Sequence, residues 1–122
     1  MNVAVLGASN KPDRYSYRAV RLLREKGHTP LPVHPALAEV DGLPVFASLS
    51  AISVPVDTIT VYVSPQNQQH LAGELLSSDA RRVIFNPGTE NPPLAEQLRQ
   101  RGKEVVEACT LVLLSTGQFS RE

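Results

Sequence analysis

The sequence predicts an α/β fold: a doubly wound, mostly parallel sheet in three α/β/α layers. Three observations lead there. Short apolar, β-branched runs alternate with segments of helical periodicity. Several of those runs are apolar on both faces, as buried parallel strands require. Glycines and prolines stand at the switches between them, so the connections are short and the crossovers right-handed. With 122 residues, the chain forms one domain over 1–122.

The elements follow in order. Val3-Ala4-Val5-Leu6 is a buried central strand, and Gly7-Ala8-Ser9 turns out of it. A helix runs from about Ser16 to Lys26, with Ala19, Val20, Leu22 and Leu23 on one face and arginines on the other. Gly27 stops it. Thr29–Val33 is the second strand, closed by His34-Pro35. Asp41-Gly42 signals a turn, and Leu43–Phe46 reads as a short third strand. Ser48 is placed to cap a short helix through Ile52.

Residues Thr58–Val63 make the strongest strand pattern, being rich in β-branched residues. Ser64 ends it, and Pro65 opens a helix to about Ser77, with Leu71, Ala72, Leu75 and Leu76 inward. Arg82–Phe85 is the next strand, ended by Asn86-Pro87-Gly88. A helix from Pro92 to Arg101 buries Leu94, Ala95 and Leu98, and Gly102 stops it. Glu104–Val106 is the last strand. Thr110–Leu114 is an apolar segment expected to dock on the sheet, and the tail after Gly117 is expected to be loose.

Composition narrows the function. Twelve basic and twelve acidic side chains cancel, so no global basic field points to nucleic acid. Arg14, Arg18, Arg21 and Arg24 still form a local cluster. Cys109 is the single cysteine, which excludes an intramolecular disulfide and a cysteine-rich metal site and fits a cytoplasmic protein. No apolar run approaches the ~20 residues that cross a bilayer, and no signal peptide is expected. His28, His34 and His70 lack metal-ligand spacing, so no metal site is expected.

In sheets of this kind a ligand lies at the carboxyl ends of the strands, near the switch in strand order. The residues just past the expected strands are Gly7-Ala8-Ser9, His34-Pro35, Ser64-Pro65, Asn86-Pro87-Gly88 and Ala108-Cys109-Thr110. They are mostly small, polar or proline residues, which let a ligand approach the backbone. The first loop departs from G-x-G-x-x-G, and no carboxylate stands at Val33-His34-Pro35, which disfavours NAD. No G-x-x-x-x-G-K-[ST] segment is present either. The start of the first helix can still hold a phosphate, with Lys11 and Arg14 adding charge.

Val5-Leu6-Gly7-Ala8-Ser9, Lys11-Pro12-Asp13-Arg14, Pro32-Val33-His34-Pro35 and Asn86-Pro87-Gly88-Thr89-Glu90-Asn91 together resemble the small bacterial and archaeal CoA-binding proteins. They are similar to the CoA-binding domain of the succinyl-CoA synthetase alpha subunit, as is Gly42-Leu43-Pro44-Val45-Phe46. The resemblance covers nearly the whole chain. It implies a Rossmann-like fold with coenzyme A across the strand ends. Gly7, Ala8, Ser9 and the loop through Lys11 and Arg14 to Ser16 would hold phosphates. Val33, His34 and Pro35 would flank the adenosine. Val63, Ser64 and Pro65 would line the pantetheine path, and Asn86, Pro87, Gly88 and Thr89 its far end. Tyr15 is a candidate to stack on the adenine. After Pro35 the chain has Ala36-Leu37-Ala38, where the synthetase has a lysine and glycines.

The synthetase's phosphorylated histidine belongs to a second domain, which this sequence does not contain. The resemblance therefore carries over a binding site without a reaction, and no catalytic residue is expected. The resemblance implies CoA or an acyl-CoA as the ligand. Two other readings stay open: a subunit of an acyl-CoA-using enzyme complex, or an interaction protein without ligand. A homodimer or a partner enzyme is compatible with either.

Overall fold

The computed structural model describes residues 1–120. Five strands form one sheet: β1 (Asn2–Leu6), β2 (Thr29–Val33), β5 (Thr58–Val61), β6 (Arg82–Phe85) and β7 (Glu104–Glu107). Their order is β2-β1-β5-β6-β7, and every pairing is parallel. A hairpin of β3 (Glu39–Val40) and β4 (Leu43–Pro44) stands beside it. The helices are α1 (Tyr15–Glu25), α2 (Ala72–Ser77), α3 (Pro92–Gln100) and α4 (Thr110–Ser115).

Alternation along β1 builds the layers. Ala4 and Leu6 join the core that holds Leu75 of α2 and Leu94, Ala95 and Leu98 of α3. Val3 and Val5 join the opposite core, with Val20 and Leu23 of α1 and Leu114 of α4. Fully buried side chains such as Leu23, Ile59 and Leu98 contribute about 1.5–3 kcal/mol each by leaving water. The expected three-layer, doubly wound sheet is therefore present.

β2 is an edge for a sequence reason. Pro30 and Pro32 lack N–H donors and stand opposite Val3 and Val5 of β1. The outer side of β2 is closed where Phe46 N–H donates to Pro32 O and His34 N–H donates to Phe46 O.

The sequence is corrected in five places. Leu43–Phe46 is not one strand. Asp41 (φ 51°) and Gly42 (φ 78°) fold Leu43–Pro44 back on Glu39–Val40, and Phe46 instead bridges to Val33. The segment after Ser48 is a single 3-10 turn at Leu49–Ala51. Ser48 makes no side-chain cap, because its hydroxyl is bonded to Ser50. β5 stops at Val61, where its partner β1 stops at Leu6.

The helix expected from Pro65 to Ser77 is broken. It becomes 3-10 turns at Pro65–Asn67 and Gln69–Leu71, followed by α2. The cause is Gln68, whose fully buried amide donates to Val63 O and Thr89 O, both at 2.8 Å. Holding that side chain inward interrupts the helical ladder. Lastly, the tail is tied down at Phe119, which is only 2% exposed, while residues 121 and 122 lie outside the described residues. Buried Arg82 donates to Phe119 O at 2.7 Å and lies 4.5 Å from the ring centroid. The apolar segment before it does dock on the sheet, as helix α4.

His28 closes the same corner. Its ring meets Phe119 edge-on at 5.1 Å, and the amino terminus of Met1 donates to His28 Nδ1 at 3.2 Å. Burial, the Met1 ammonium and Arg82 lower the His28 pKa, while Asp57 opposes them. The unfolded chain then takes up this proton first on acidification. Stability contributed by neutral His28 is present above the unfolded value of about 6.5 and is lost as pH falls through the folded value. The thermal midpoint of the wild type should fall between pH 7 and pH 5. His28→Asn keeps an acceptor for the ammonium but cannot titrate, so its midpoint should fall less. Equal slopes in the two proteins would remove His28 as the cause.

Candidate functional site

The strand order reverses between β1 and β5, because the chain leaves β1 toward β2 on one side and returns to β5 on the other. A crevice of about 770 Å³ opens at the carboxyl ends of these strands. That volume lies within the ~300–1,000 Å³ typical of small-molecule sites. One wall is the loop after β1, from Gly7 to Lys11. A second comes from the end of β2, with Val33, His34, Pro35 and Leu37. Ala47 and Ser48 continue that wall, and Val63, Asn67, His70, Leu71 and Glu74 face it.

The loop after β1 is suspended from the neighbouring strand. Gly7 N–H and Ala8 N–H both donate to Val33 O at 3.1 Å. Gly7 has φ 89°, and a Cβ there would lie 2.8 Å from Val63 Cγ2 and 3.3 Å from the Tyr62 carbonyl carbon. Only glycine lets the backbone pass this close to the end of β5. Ser9 Oγ accepts from Lys11 N–H at 3.1 Å, and Arg14 N–H donates to Lys11 O at 3.0 Å. These bonds shape the short descent into α1.

The first turn of α1 has no acidic residue, and no side chain caps it. Its leading N–H groups lack intrahelical acceptors, and the helix dipole adds partial positive charge. Lys11 is exposed and lines the crevice beside this turn in sequence. The arrangement suits an anion.

The residues named from the sequence divide into two groups. Gly7, Ala8, Ser9, Lys11, Val33, His34, Pro35 and Val63 are brought together on the crevice wall. Arg14 stands exposed as the residue before α1. Tyr15 is 66% exposed, with the Arg18 guanidinium 5.6 Å from its ring centroid. Ser16 is buried within the first turn. Ser64 precedes the turn begun by Pro65 and accepts from the Asn67 amide at 3.0 Å. These five lie off the crevice wall.

Asn86, Pro87, Gly88 and Thr89 also lie off that wall and serve the end of β6. Asn86 is 3% exposed and fully engaged. Its amide donates to Thr60 Oγ1 at 2.7 Å and to Val61 O at 2.9 Å, and its Oδ1 accepts from Thr110 N–H at 2.8 Å. It thereby joins β5, β6 and the start of α4. Thr89 Oγ1 donates to Asn86 O, and Gly88 N–H donates to Glu90 Oε1. Pro87 is exposed.

Tyr62 adjoins this network. Its hydroxyl is buried without a hydrogen-bond partner among the described residues, while the nearby Thr60 and Thr110 hydroxyls bond to each other at 2.7 Å. Burial pushes its pKa up to about 12, while the Thr60 and Thr110 hydroxyls beside it pull the other way although neither meets it in hydrogen-bond geometry. A lone buried hydroxyl costs about 1–3 kcal/mol of desolvation, so Tyr62→Phe should be neutral or slightly stabilising in urea unfolding. A clear loss of stability would mean that the hydroxyl has a partner.

Sequence reasoning missed Asn67, His70, Leu71 and Glu74. A continuous helix puts His70 on its polar outer side, whereas the break at Gln68 carries this segment to the crevice. No periodicity signals such a break. Among the described residues there is no group of three or more His, Cys, Asp or Glu suited to a metal ion. No described helix is long and apolar enough to cross a membrane.

A parallel five-stranded sheet with a glycine-turned crevice at its switch point defines a Rossmann-like ligand-binding domain. The family profile of the CoA binding domain matches residues 1–115. The chain therefore belongs to the CoA-binding-domain family. It is similar to the uncharacterized protein YneT of Bacillus subtilis, with 29% identity over 104 residues, or 85% of this chain and 77% of that one. A crystal structure of an uncharacterized protein superposes with a TM-score of 0.90 at 42% identity, covering 97% of both chains. The fold also matches part of a dinucleotide-forming acetyl-coenzyme A synthetase of Ca. Korarchaeum cryptofilum. There the TM-score is 0.74 at 20% identity, over 88% of this chain and 25% of the synthetase.

Proposed function

We propose that this chain binds coenzyme A or an acyl-CoA across the carboxyl ends of β2, β1 and β5 and does no chemistry of its own. The observation that carries the proposal is the crevice at the switch point, walled by the Gly7–Lys11 loop, in a member of the CoA-binding-domain family. Lys11, on the crevice wall, suits the ligand's phosphates. The end of β2 offers Val33, His34 and Pro35 where a dinucleotide enzyme would hold a carboxylate for the ribose. Asn86 and Thr89 are committed to the scaffold.

Calorimetric titration with CoA tests the binding, and one site per chain is expected. Incubation with acetyl-CoA or succinyl-CoA tests the second half. Free thiol should not appear above the protein-free blank. Steady thiol release would make the protein an enzyme, and absence of CoA heat at several temperatures would remove the ligand.

A further inference from the structure

A groove of about 390 Å³ runs between α1 and α4 and shares no lining residue with the crevice. Tyr17 and Leu22 of α1 and Leu111 of α4 make part of its wall apolar, and Arg18, Arg21 and Glu25 complete the side given by α1. Helix α4 is short of cover here. Its run Leu111-Val112-Leu113-Leu114 is apolar on every side, a composition that belongs to a buried helix. Of the four, only Leu114 is buried; Leu111 and Leu113 are half-buried, and Val112 is 55% exposed. Tyr15, exposed as well, stands against Arg18 of the same groove. Scattered apolar side chains on a surface are ordinary, but apolar side chains gathered along one groove mark a contact surface.

Charge says which kind of contact. Arg14, Arg18 and Arg21 follow one another at helical spacing, and all three are exposed. None of them forms an ion pair among the described residues, whereas Arg24 on the same helix is held by Asp41 at 2.9 Å. The rise from Arg14 to Arg21 is roughly 10 Å, about two turns of helix. Glu25 continues the row with the opposite sign.

We propose that this groove docks an amphipathic helix of a partner protein, with carboxylates for the arginine row and apolar anchors for Leu22, Leu111 and Val112. A groove between two helices takes a third along its length, with its anchors on one face. Glu25 sets the direction, because a helix lying the other way brings a carboxylate against it. Arginine and tyrosine around an apolar centre also have the composition of interface hot spots. A nucleic-acid backbone would leave the apolar residues without a partner, and the chain carries no net positive charge to hold one.

The test uses two synthetic helical peptides with the same leucine face. One carries glutamates along the edge that meets the arginines, and the other carries lysines there. Fluorescence anisotropy reads binding to the wild type, to the double variant Arg18→Glu and Arg21→Glu, and to Val112→Asp. The wild type should bind the acidic peptide at least about tenfold more tightly than the basic one. The double variant should reverse that preference, and Val112→Asp should weaken the acidic peptide about tenfold. All three side chains are exposed, so the thermal midpoints should hold. Equal binding of both peptides by the wild type, or binding of neither at millimolar concentration, would overturn the proposal. Tighter binding to phosphatidylglycerol vesicles than to the acidic peptide would also overturn it, by making the patch a membrane contact. So would a concentration-dependent dimer that Val112→Asp abolishes, which would give the groove to a second copy of this chain.

Discussion

Asn86→Ala should lower the unfolding free energy by about 2–4 kcal/mol, because it strands buried polar groups with no access to water. Thr110 N–H loses its acceptor, Asn86 Oδ1, and Thr60 Oγ1 loses its amide donor. Val61 O keeps a long bond from Asn86 N–H at 3.4 Å, and the Thr60 and Thr110 hydroxyls keep each other. The damage falls on the join between β5, β6 and α4, so α4 should loosen first. Urea unfolding gives the magnitude, and amide exchange at Thr110 gives the location. Asn86→Asp retains the Thr110 acceptor but sets a carboxylate against Val61 O and should be no better. A loss below about 1 kcal/mol for Asn86→Ala would mean that water enters and satisfies the site.

Gly7→Ala acts on the crevice itself. A non-glycine residue in the left-handed region costs roughly 1–2 kcal/mol, and an overpacked contact adds roughly 1–3 kcal/mol. The Val63 side chain can turn away from the new methyl, but the Tyr62 backbone cannot. The expected total is about 2–4 kcal/mol of stability, together with CoA binding weakened tenfold or more. Both losses share one origin, since the turn that spares Val63 also sets the wall where a ligand lies. Gly88→Ala provides the comparison. Gly88 also has positive φ (92°), but nothing lies within 4 Å of its added Cβ. It should lose stability through strain alone and keep its CoA affinity. Equal loss of affinity in the two variants would detach the crevice from Gly7.

The layers were legible in the sequence because they rest on short-range patterns. β2 and β6 fall where β-branched and apolar runs place them, and α1 ends at Glu25, just before Gly27, which adopts φ 86°. The crevice was legible as well, because strand ends and glycine turns locate it without side-chain detail. What stayed hidden depends on partners distant in sequence. Gln68 breaks a helix by bonding Thr89, which lies 21 residues away. Phe119 anchors a polar-looking tail because Arg82, 37 residues earlier, needs an acceptor. Asn86 resembled a ligand contact because asparagine at a strand end is compatible with either role. Its three internal bonds appear only when β5 and α4 are in place. Glu74 and His70 reached the crevice through the same break at Gln68. The composition of their segment therefore said little about their place.

The most direct test of the central claim is thermal unfolding of the wild type with CoA, NAD or ATP at matched excess. A ligand at ~100 times its dissociation constant adds about 2.7 kcal/mol to the folded state and raises the midpoint accordingly. A rise with CoA, and little with NAD or ATP, is the predicted result. A rise with NAD that exceeds that with CoA, or no rise with CoA at millimolar concentration, would contradict the assignment of coenzyme A to the crevice.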